Sequence, residues 1–450
     1  MPKEKSFYLV SLGCAKNTVD SDSMAALLEE QGYYAVEKPF QAQVLIVNTC
    51  GFIQAAREES YDTLRDLAQK KKPGQFLIAA GCLTERYRQA VVEKVPGIDG
   101  ILGTRRWMDI IEVIQKLRGE NKGPRTLYHI PDVPTVGKDE KNILRASIQG
   151  DSAYLKIADG CRRPCAFCSI PLIKGTTVSR PPEVIIQEAQ QLQDMNIREL
   201  ILIAQDTTDY GFDLGLKDGL AGLLEKISLA TPQIPWIRLL YAYPGYVTDR
   251  LIDVMASNPQ ILPYLDIPLQ HAHPDILRSM RRPADIDWVY KTIDKMRKAL
   301  PGLAIRTTFI VGYPGETESE FKTLLDFVSD LRFDHLGAFT FSFEPGTTSE
   351  PLGDPVPLEV KEERLERLMH LQENISLKIN QSFIGKTLDV LVEGIGDGIS
   401  VGRSYRDAPE IDGMVIIEDE IEPGDIAPVQ ITSAMTHDLS GHLVRPTLQV

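Results

Sequence analysis

Tyr154-Leu-Lys-Ile-Ala-Asp-Gly160-Cys161-Arg-Arg-Pro-Cys165-Ala-Phe-Cys168 is an apolar run that ends at Asp-Gly and passes straight into three cysteines within eight positions. The run reads as a strand and the cysteines as the loop that follows it. Three thiolates at this spacing can wrap one cluster without help from distant chain. They fill only three corners of a cubane iron-sulfur cluster, which leaves the fourth iron open to a ligand that the protein does not supply. A zinc knuckle would need a fourth close ligand. His129 lies before the strand, and His271 and His273 lie far beyond the loop.

Outward from this stretch the chain repeats a strand-helix unit. Strands are predicted near Tyr154-Ala158, Leu200-Ala204, Ile237-Tyr241, Leu265-Leu269, Ile305-Val311 and Leu336-Phe341, with helices such as Pro182 to Met195 between them. The Pro181-Pro182-Glu183 start suits a helix N-terminus. Eight such units close a barrel, so six predict a partial, open one. Loops after the strands carry function in such folds, and Cys161 lies just after the first. Gln205 and Asp206 follow the second strand, Gln270 and His271 the fourth, and Arg306 and Thr308 belong to the fifth. All are candidate edges of a pocket.

The remaining cysteines form a second triad. Phe7 to Gly13 leads into Cys14, Val44 to Thr49 into Cys50, and Phe76 to Gly81 into Cys82. Short apolar runs alternating with helical patterns predict an open parallel α/β layer. In such a sheet the C-terminal strand ends share one edge, so three thiols distant in sequence converge. With all six cysteines thus assigned, none is left over.

The chain has 450 residues and a net charge of -14. No apolar stretch is long enough to cross a bilayer, and the N-terminus lacks a signal-peptide core. The expected location is the cytoplasm, where an even cysteine count points to metal or catalysis before disulfides. A Pro-, Gly- and charge-rich linker from Gly119 to about Lys141 predicts a boundary, giving domains at 1-140, 145-380 and 381-450. The acid is concentrated in the last domain, which carries -8, against +2 over residues 1 to 145. That tail has β-branched runs at Leu388-Val392, Met414-Ile417 and Pro428-Ile431, and predicts a small antiparallel barrel. The run Glu359 to Phe383 reads as an amphipathic helix joining barrel to tail.

The CxxxCxxC loop after the first strand of a partial barrel resembles the radical S-adenosylmethionine (SAM) superfamily. The upstream domain with dispersed cysteines resembles one branch of it, the methylthiotransferases. Within that branch, Ser11-Leu-Gly-Cys-Ala-Lys-Asn17, Val19-Asp-Ser-Asp22, Gln205-Asp-Thr-Thr-Asp-Tyr-Gly211, Asp266-Ile-Pro-Leu-Gln-His-Ala272 and Arg306-Thr-Thr-Phe-Ile-Val-Gly-Tyr-Pro-Gly-Glu316 resemble enzymes that modify a ribosomal protein. The tRNA-modifying relatives usually carry Gly-Cys-Gln-Met-Asn at the first cysteine. Ala15 stands where proline is common and Asp22 where glutamate is; neither carries a thiolate.

The resemblance implies an N-terminal open parallel α/β domain, a central partial (βα)6 radical SAM barrel and a C-terminal TRAM barrel. It implies two 4Fe-4S clusters, at Cys14, Cys50 and Cys82 and at Cys161, Cys165 and Cys168. It also implies SAM as methyl donor and radical source, and an electron donor such as flavodoxin or ferredoxin. Phe167, Gln205, Arg306, Thr308, Gly312 and Glu316 are the candidate SAM and substrate contacts, with Gly312 to Glu316 resembling the SAM-contacting turn. The implied reaction is methylthio insertion at the β-carbon of an aspartate in the twelfth small-subunit ribosomal protein. TRAM domains commonly bind RNA, but a surface at -8 repels a polyanion and attracts a basic protein. Direct nucleic-acid binding and membrane association are therefore not expected. A tRNA methylthiotransferase acting on isopentenyl-adenosine is the nearer alternative reading, and an iron-sulfur electron carrier the remote one.

Overall fold

The first layer is built from β-strands whose side chains alternate between two apolar covers. In this computed structural model, which describes residues 3–119, 126–131 and 140–445, β1 (Ser6–Ser11), β2 (Tyr34–Ala35), β3 (Val44–Thr49), β4 (Phe76–Gly81), β5 (Gly100–Gly103) and β6 (Leu127–His129) form one sheet. Its order is β2-β1-β3-β4-β5-β6, and every pairing is parallel. Ile46, Ile78 and Leu102 pack with helix α1 (Ala15–Glu30) on one face. Leu45, Val47, Leu77 and Ile101 pack with helix α2 (Gln54–Lys70) on the other. Burial on both faces explains why these strands read as continuous apolar runs. The winding reverses between β1 and β3, which opens a crevice beyond their C-terminal ends. β6 falls within the predicted linker; three residues carry no period of their own, and most of the remaining linker lies outside the described residues.

The second sheet holds seven strands. β7 (Ala146–Gln149) pairs antiparallel with β8 (Ser152–Lys156) at one edge. Short strands β9 (Ala158–Asp159) and β10 (Val178–Ser179) pair with each other and tie the base of the cysteine loop. β11 (Glu199–Ile203), β12 (Trp236–Leu239), β13 (Ile261–Asp266), β14 (Ala304–Val311) and β15 (His335–Thr340) then add in sequence order, all parallel. The six predicted parallel strands are these and β8. The fourth begins at Ile261, not near Leu265, and the β7 edge is an addition. Outward residues such as Leu155, Leu202, Ile237, Leu265 and Phe309 bury against the surrounding helices.

The inner face is what positions the site. Period-2 alternation turns Tyr154, Ile201, Ile203, Leu240 and Tyr264 inward. Val19 of α1 and Leu391 and Ala408 of the tail join the same cluster, so both flanking domains fill the space that an open barrel leaves. The tail is a closed five-stranded barrel of β16 (Thr387–Gly396), β17 (Ile399–Ser404), β18 (Val415–Ile417), β19 (Ile426–Ala434) and β20 (Leu439–Leu443). Its pairings are antiparallel apart from β18 with β20. Helix Leu358–Gln381 connects the two barrels and buries Leu368 and Ile375 against the central one.

The tail is fastened by polar groups as well. Arg403 reaches Glu199 at 2.6 Å, and Arg238 donates to the Tyr405 carbonyl at 2.8 Å. Asp412 accepts from the Tyr264 hydroxyl at 2.7 Å and stands 3.4 Å from Arg306. Charged residues within the apolar strands thus mark where the neighbouring domains dock.

Candidate functional site

The first triad forms at the crevice. β1, β3 and β4 are neighbours, and their chains run directly into Cys14, Cys50 and Cys82. Cys14 is the N-cap residue of α1, and its carbonyl accepts from the Asn17 and Thr18 amides at 2.7 and 3.1 Å. Asn17 donates to the Leu12 carbonyl at 2.7 Å and the Asn48 carbonyl at 3.2 Å, while Asn48 donates to the Asn17 carbonyl at 2.9 Å. This reciprocal amide pair fixes the Cys14 end of α1 to the strand that delivers Cys50. The Cys50 amide donates to the Ser60 hydroxyl, which in turn donates to the Cys50 carbonyl, both at 3.0 Å. Cys82 opens helix α3 (Cys82–Tyr87) immediately after Gly81, whose φ is 101°. A Cβ there would lie 2.6 Å from the Thr49 carbonyl oxygen, so only glycine lets the β4 end come this close to β3.

The second triad lies on the loop tied by β9 and β10. The Cys161 amide donates to the Gly175 carbonyl at 3.0 Å, and the Cys168 amide to the Cys165 carbonyl at 3.2 Å. The Arg163 amide points at Cys161 Sγ from 3.4 Å, and Arg282 at Cys165 Sγ from 3.5 Å. Such donors stabilise thiolate sulfur. Arg163 is held by Asp206 at 2.5 Å and lies over the Tyr246 ring, 3.6 Å from its centroid. Arg162 pairs with Asp209 at 2.7 Å. The loop after the second strand therefore braces the cysteine loop.

Burial pushes the Cys82 thiol up to about 12, with the Cys14 and Cys50 thiols adding to the rise and the Lys174 ammonium opposing it. Burial also lifts Cys168 to about 12 and Cys161 to about 11, each reinforced by Cys165. Thiols that hold their protons this firmly are poor as free thiolates and well suited to a cationic metal cluster that takes the protons' place. Both triads supply soft sulfur donors, each with one corner left over, which fits a cubane with an open iron.

Between the triads runs a buried charge chain absent from the sequence-based expectations. Lys156 Nζ lies 2.8 Å from Asp20 and 2.9 Å from Asp159, and Lys174 Nζ 3.0 and 3.2 Å from the same two carboxylates. Arg145 also pairs with Asp20. Burial opposes the charged form of Asp20, but Lys156, Lys174 and Arg145 more than offset it and hold the carboxyl well below its ordinary range. α1, capped by Cys14, is in this way joined to the strand before Cys161 and to the helix Ile170–Lys174 after Cys168. The available signal was a lysine interrupting the apolar run Tyr154-Leu-Lys-Ile.

The structure places the other expected contacts as follows. Gln205 donates to Asp159 Oδ1 at 2.9 Å, at the edge of the charge chain. Arg306 and Thr308 both face the barrel interior, and Arg306 pairs with Asp266 at 3.2 Å. Phe167 is half-buried and packs with Ile276, Met280, Tyr313 and Phe341, an apolar cluster at the barrel mouth. Glu316 is fully enclosed. Its carboxylate accepts from the Gly312 amide at 3.0 and 3.1 Å and pairs with Arg364 of helix Leu358–Gln381 at 2.8 Å. His271 Nε2 stands 3.2 Å away. The Glu316 side chain thus braces the 312–316 turn and the docking of that helix.

A further clamp joins the first domain to the segment that follows β15. Glu344 takes Arg57 of α2 at 2.5 Å and Arg86 of α3 at 2.7 Å. Arg86 also donates to the Gly51 carbonyl at 3.0 Å, one residue after Cys50.

Known proteins resemble the chain over 97% of its length. Residues 6–103 match the uncharacterized protein family UPF0004, 155–328 the radical SAM superfamily and 384–444 the TRAM domain. The chain is 45% identical to the ribosomal protein uS12 methylthiotransferase RimO of Roseiflexus sp. (strain RS-1), over 97% of each chain. It is 48% identical to the protein of that name from Chloroflexus aurantiacus, covering 97% of this chain and 99% of the relative. Among solved structures, the radical S-adenosylmethionine methyltransferase TsrM of Kitasatospora setae shares the fold at a TM-score of 0.55 and 11% identity, over 89% of this chain and 77% of that one. No helix among the described residues is long and apolar enough to cross a membrane.

Proposed function

The chain belongs to the family of ribosomal protein uS12 methylthiotransferases, and from that membership we propose that it inserts a methylthio group at the β-carbon of an aspartate of uS12. The observation that carries this reading is 45 to 48% identity to relatives of that name over 97% of the chain. The same likeness favours it over the tRNA reading, and the radical SAM domain marks an enzyme, not an electron carrier.

SAM and one 4Fe-4S cluster follow from the superfamily. We assign that cluster to Cys161, Cys165 and Cys168, and a second one to Cys14, Cys50 and Cys82. When bound, the first supplies the electron that cleaves SAM to a radical able to take hydrogen from carbon, and the second holds the sulfur to be methylated and transferred. The chain's own residues hold the parts in register. The Asn17–Asn48 pair orients Cys14 against Cys50, Arg163 and Arg282 direct donors at the other triad, and the Asp20-centred chain spans the two. A flavodoxin- or ferredoxin-type protein is the proposed electron source.

The tail fits a protein substrate. Arg403 and Arg406 are buried toward the central barrel, whereas Asp389, Glu393, Asp397, Glu410, Glu418, Glu420, Glu422 and Asp425 are exposed. This surface attracts a basic ribosomal protein and disfavours RNA phosphates.

Mass analysis of uS12 from a deletion strain tests the proposal. The methylthio increment on one aspartate should vanish and return when this chain is supplied. An unchanged uS12 with altered tRNA nucleosides would transfer the assignment to tRNA.

A further inference from the structure

Lys16 reaches from the first triad to the mouth of the central barrel. It sits in the first turn of α1, two residues beyond Cys14, and its Nζ lies 3.2 Å from the centroid of the Tyr241 ring. Tyr241 follows β12 at the mouth of the barrel, with φ at 61°. A non-glycine residue in this left-handed region is strained and persists only where its surroundings enforce it. Here the Tyr241 amide donates to Asp266 Oδ2 at 3.3 Å, and its carbonyl accepts from the Thr207 amide at 3.0 Å. The ring is thus fixed as a platform beneath the ammonium.

Charge balance sets Lys16 apart. Lys156 and Lys174 are neutralised by Asp20 and Asp159 at 2.8 to 3.2 Å. Lys16 forms no ion pair with a carboxylate among the described residues. The acid beside its platform, Asp266, is committed to Arg306 at 3.2 Å and to the Tyr241 amide. An aromatic face steadies an ammonium but accepts none of its hydrogen bonds in the way an anion does. The Lys16 side chain is partly buried and its ammonium hydrogen-bonds the Tyr241 side chain, a neutral partner that leaves its charge to be met by an incoming carboxylate.

We propose that Lys16, seated on Tyr241, binds the side-chain carboxylate of the target residue and thereby selects aspartate. The inference rests on the function proposed above and adds the group that recognises the substrate. In aspartate the carboxylate is bonded directly to the β-carbon, so anchoring it fixes that carbon at the barrel mouth beside the first triad. Holding the reacting carbon in place is where positioning contributes most to rate.

The test is equilibrium binding without reductant, so that no turnover occurs. Cluster-loaded wild-type enzyme, K16M and K16R are titrated with uS12 and with uS12 carrying asparagine at the target position; SAM affinity is measured separately. Wild type should prefer the aspartate form by about tenfold or more, the scale of a charge-assisted hydrogen bond. K16M should bind both forms equally, K16R should keep a preference, and SAM affinity should not change in either. Equal binding of the two forms by wild type overturns the assignment even if K16M fails to load clusters. So does a preference that survives in K16M, or a loss confined to SAM affinity, which would give the ammonium to the SAM carboxylate. A wild-type enzyme that modifies uS12 yet binds both forms equally sinks only the role of Lys16; one that neither binds nor modifies uS12 sinks the proposed function with it.

Discussion

The hydroxyl of Ser169 donates to the carbonyl oxygen of Phe52 at 3.3 Å. Ser169 follows Cys168, and Phe52 lies two residues past Cys50, so the loops of the two triads are in direct contact. The Glu344 clamp and the Asp20 chain join the same two domains. The separation of the triads is therefore a property of the folded chain and does not await substrate. That arrangement suits a reaction in which one centre opens a carbon position and the other must deliver sulfur to it promptly.

If the triads divide the work, their loss separates the activities. Cys161→Ala should abolish reductive SAM cleavage, whereas Cys50→Ala should retain cleavage and lose methylthio insertion. Each variant should carry about four irons where wild type carries about eight. Chromatographic assay of 5'-deoxyadenosine, mass analysis of uS12 and iron determination read the three quantities. Equal loss of both activities in folded, half-loaded variants would defeat the division.

The same separation should be reachable without touching a ligand. A Cβ at Gly81 runs into Asn48 and Thr49 beside Cys82, and one at Gly160 (φ 76°) meets the Thr176 carbonyl carbon at 2.8 Å beside Cys161. Gly81→Ala should lower iron loading by about half and spare SAM cleavage. Gly160→Ala should lower loading by a similar amount and remove cleavage. Full loading in both would show that the backbone accommodates the methyl group.

Much of this was legible because parallel sheets are directional. Three apolar runs ending in cysteine had to bring Cys14, Cys50 and Cys82 to one edge, and six repeated units had to leave the central barrel open. The short strands β5, β6 and β7 were not foreseen, since three or four residues carry too little period. Nor was the pairing of Asp20 with Lys156, residues 136 positions apart, because long-range ion pairs leave no local pattern. What the sequence did contain was a charge inside each of three apolar strands, Lys156, Arg238 and Arg306. Of these, Arg306 alone is among the expected site residues. All three proved to bind a neighbouring domain, so a charge interrupting a buried strand is a signal of docking as much as of catalysis. Glu316 shows the converse, a motif residue whose carboxylate is enclosed by the fold.

Breaking the clamp should loosen the fold and the coupling together. Glu344 is buried and its single negative charge is shared by Arg57 and Arg86. Glu344→Gln leaves both guanidinium groups without a countercharge and should destabilise by about 3 kcal/mol, the usual scale for a broken buried pair. Arg86 also holds the Gly51 carbonyl, so sulfur insertion should fall further than SAM cleavage, raising the 5'-deoxyadenosine formed per uS12 modified. A parallel fall in both activities would argue that the clamp acts on stability alone.

The junction between barrel and tail should show its own pH dependence. Burial alone would raise the Glu199 carboxyl, but Arg238 and Arg403, both at 2.6 Å, more than offset this and hold it at about 2. An unfolded glutamate titrates near about 4.3. Because the folded value is the lower one, the stabilisation is fully present above the unfolded value. It is lost as pH falls from there toward the folded value. Glu199→Gln should therefore destabilise the protein by about 3 kcal/mol at pH 7. Chemical denaturation should give the same difference at pH 5.5 and 7, then a shrinking one between about pH 4.3 and 2 as the wild-type carboxylate takes up its proton. A difference that stays constant down to the acid end would mean that the ion pairs at Glu199 contribute nothing to holding the tail on the barrel.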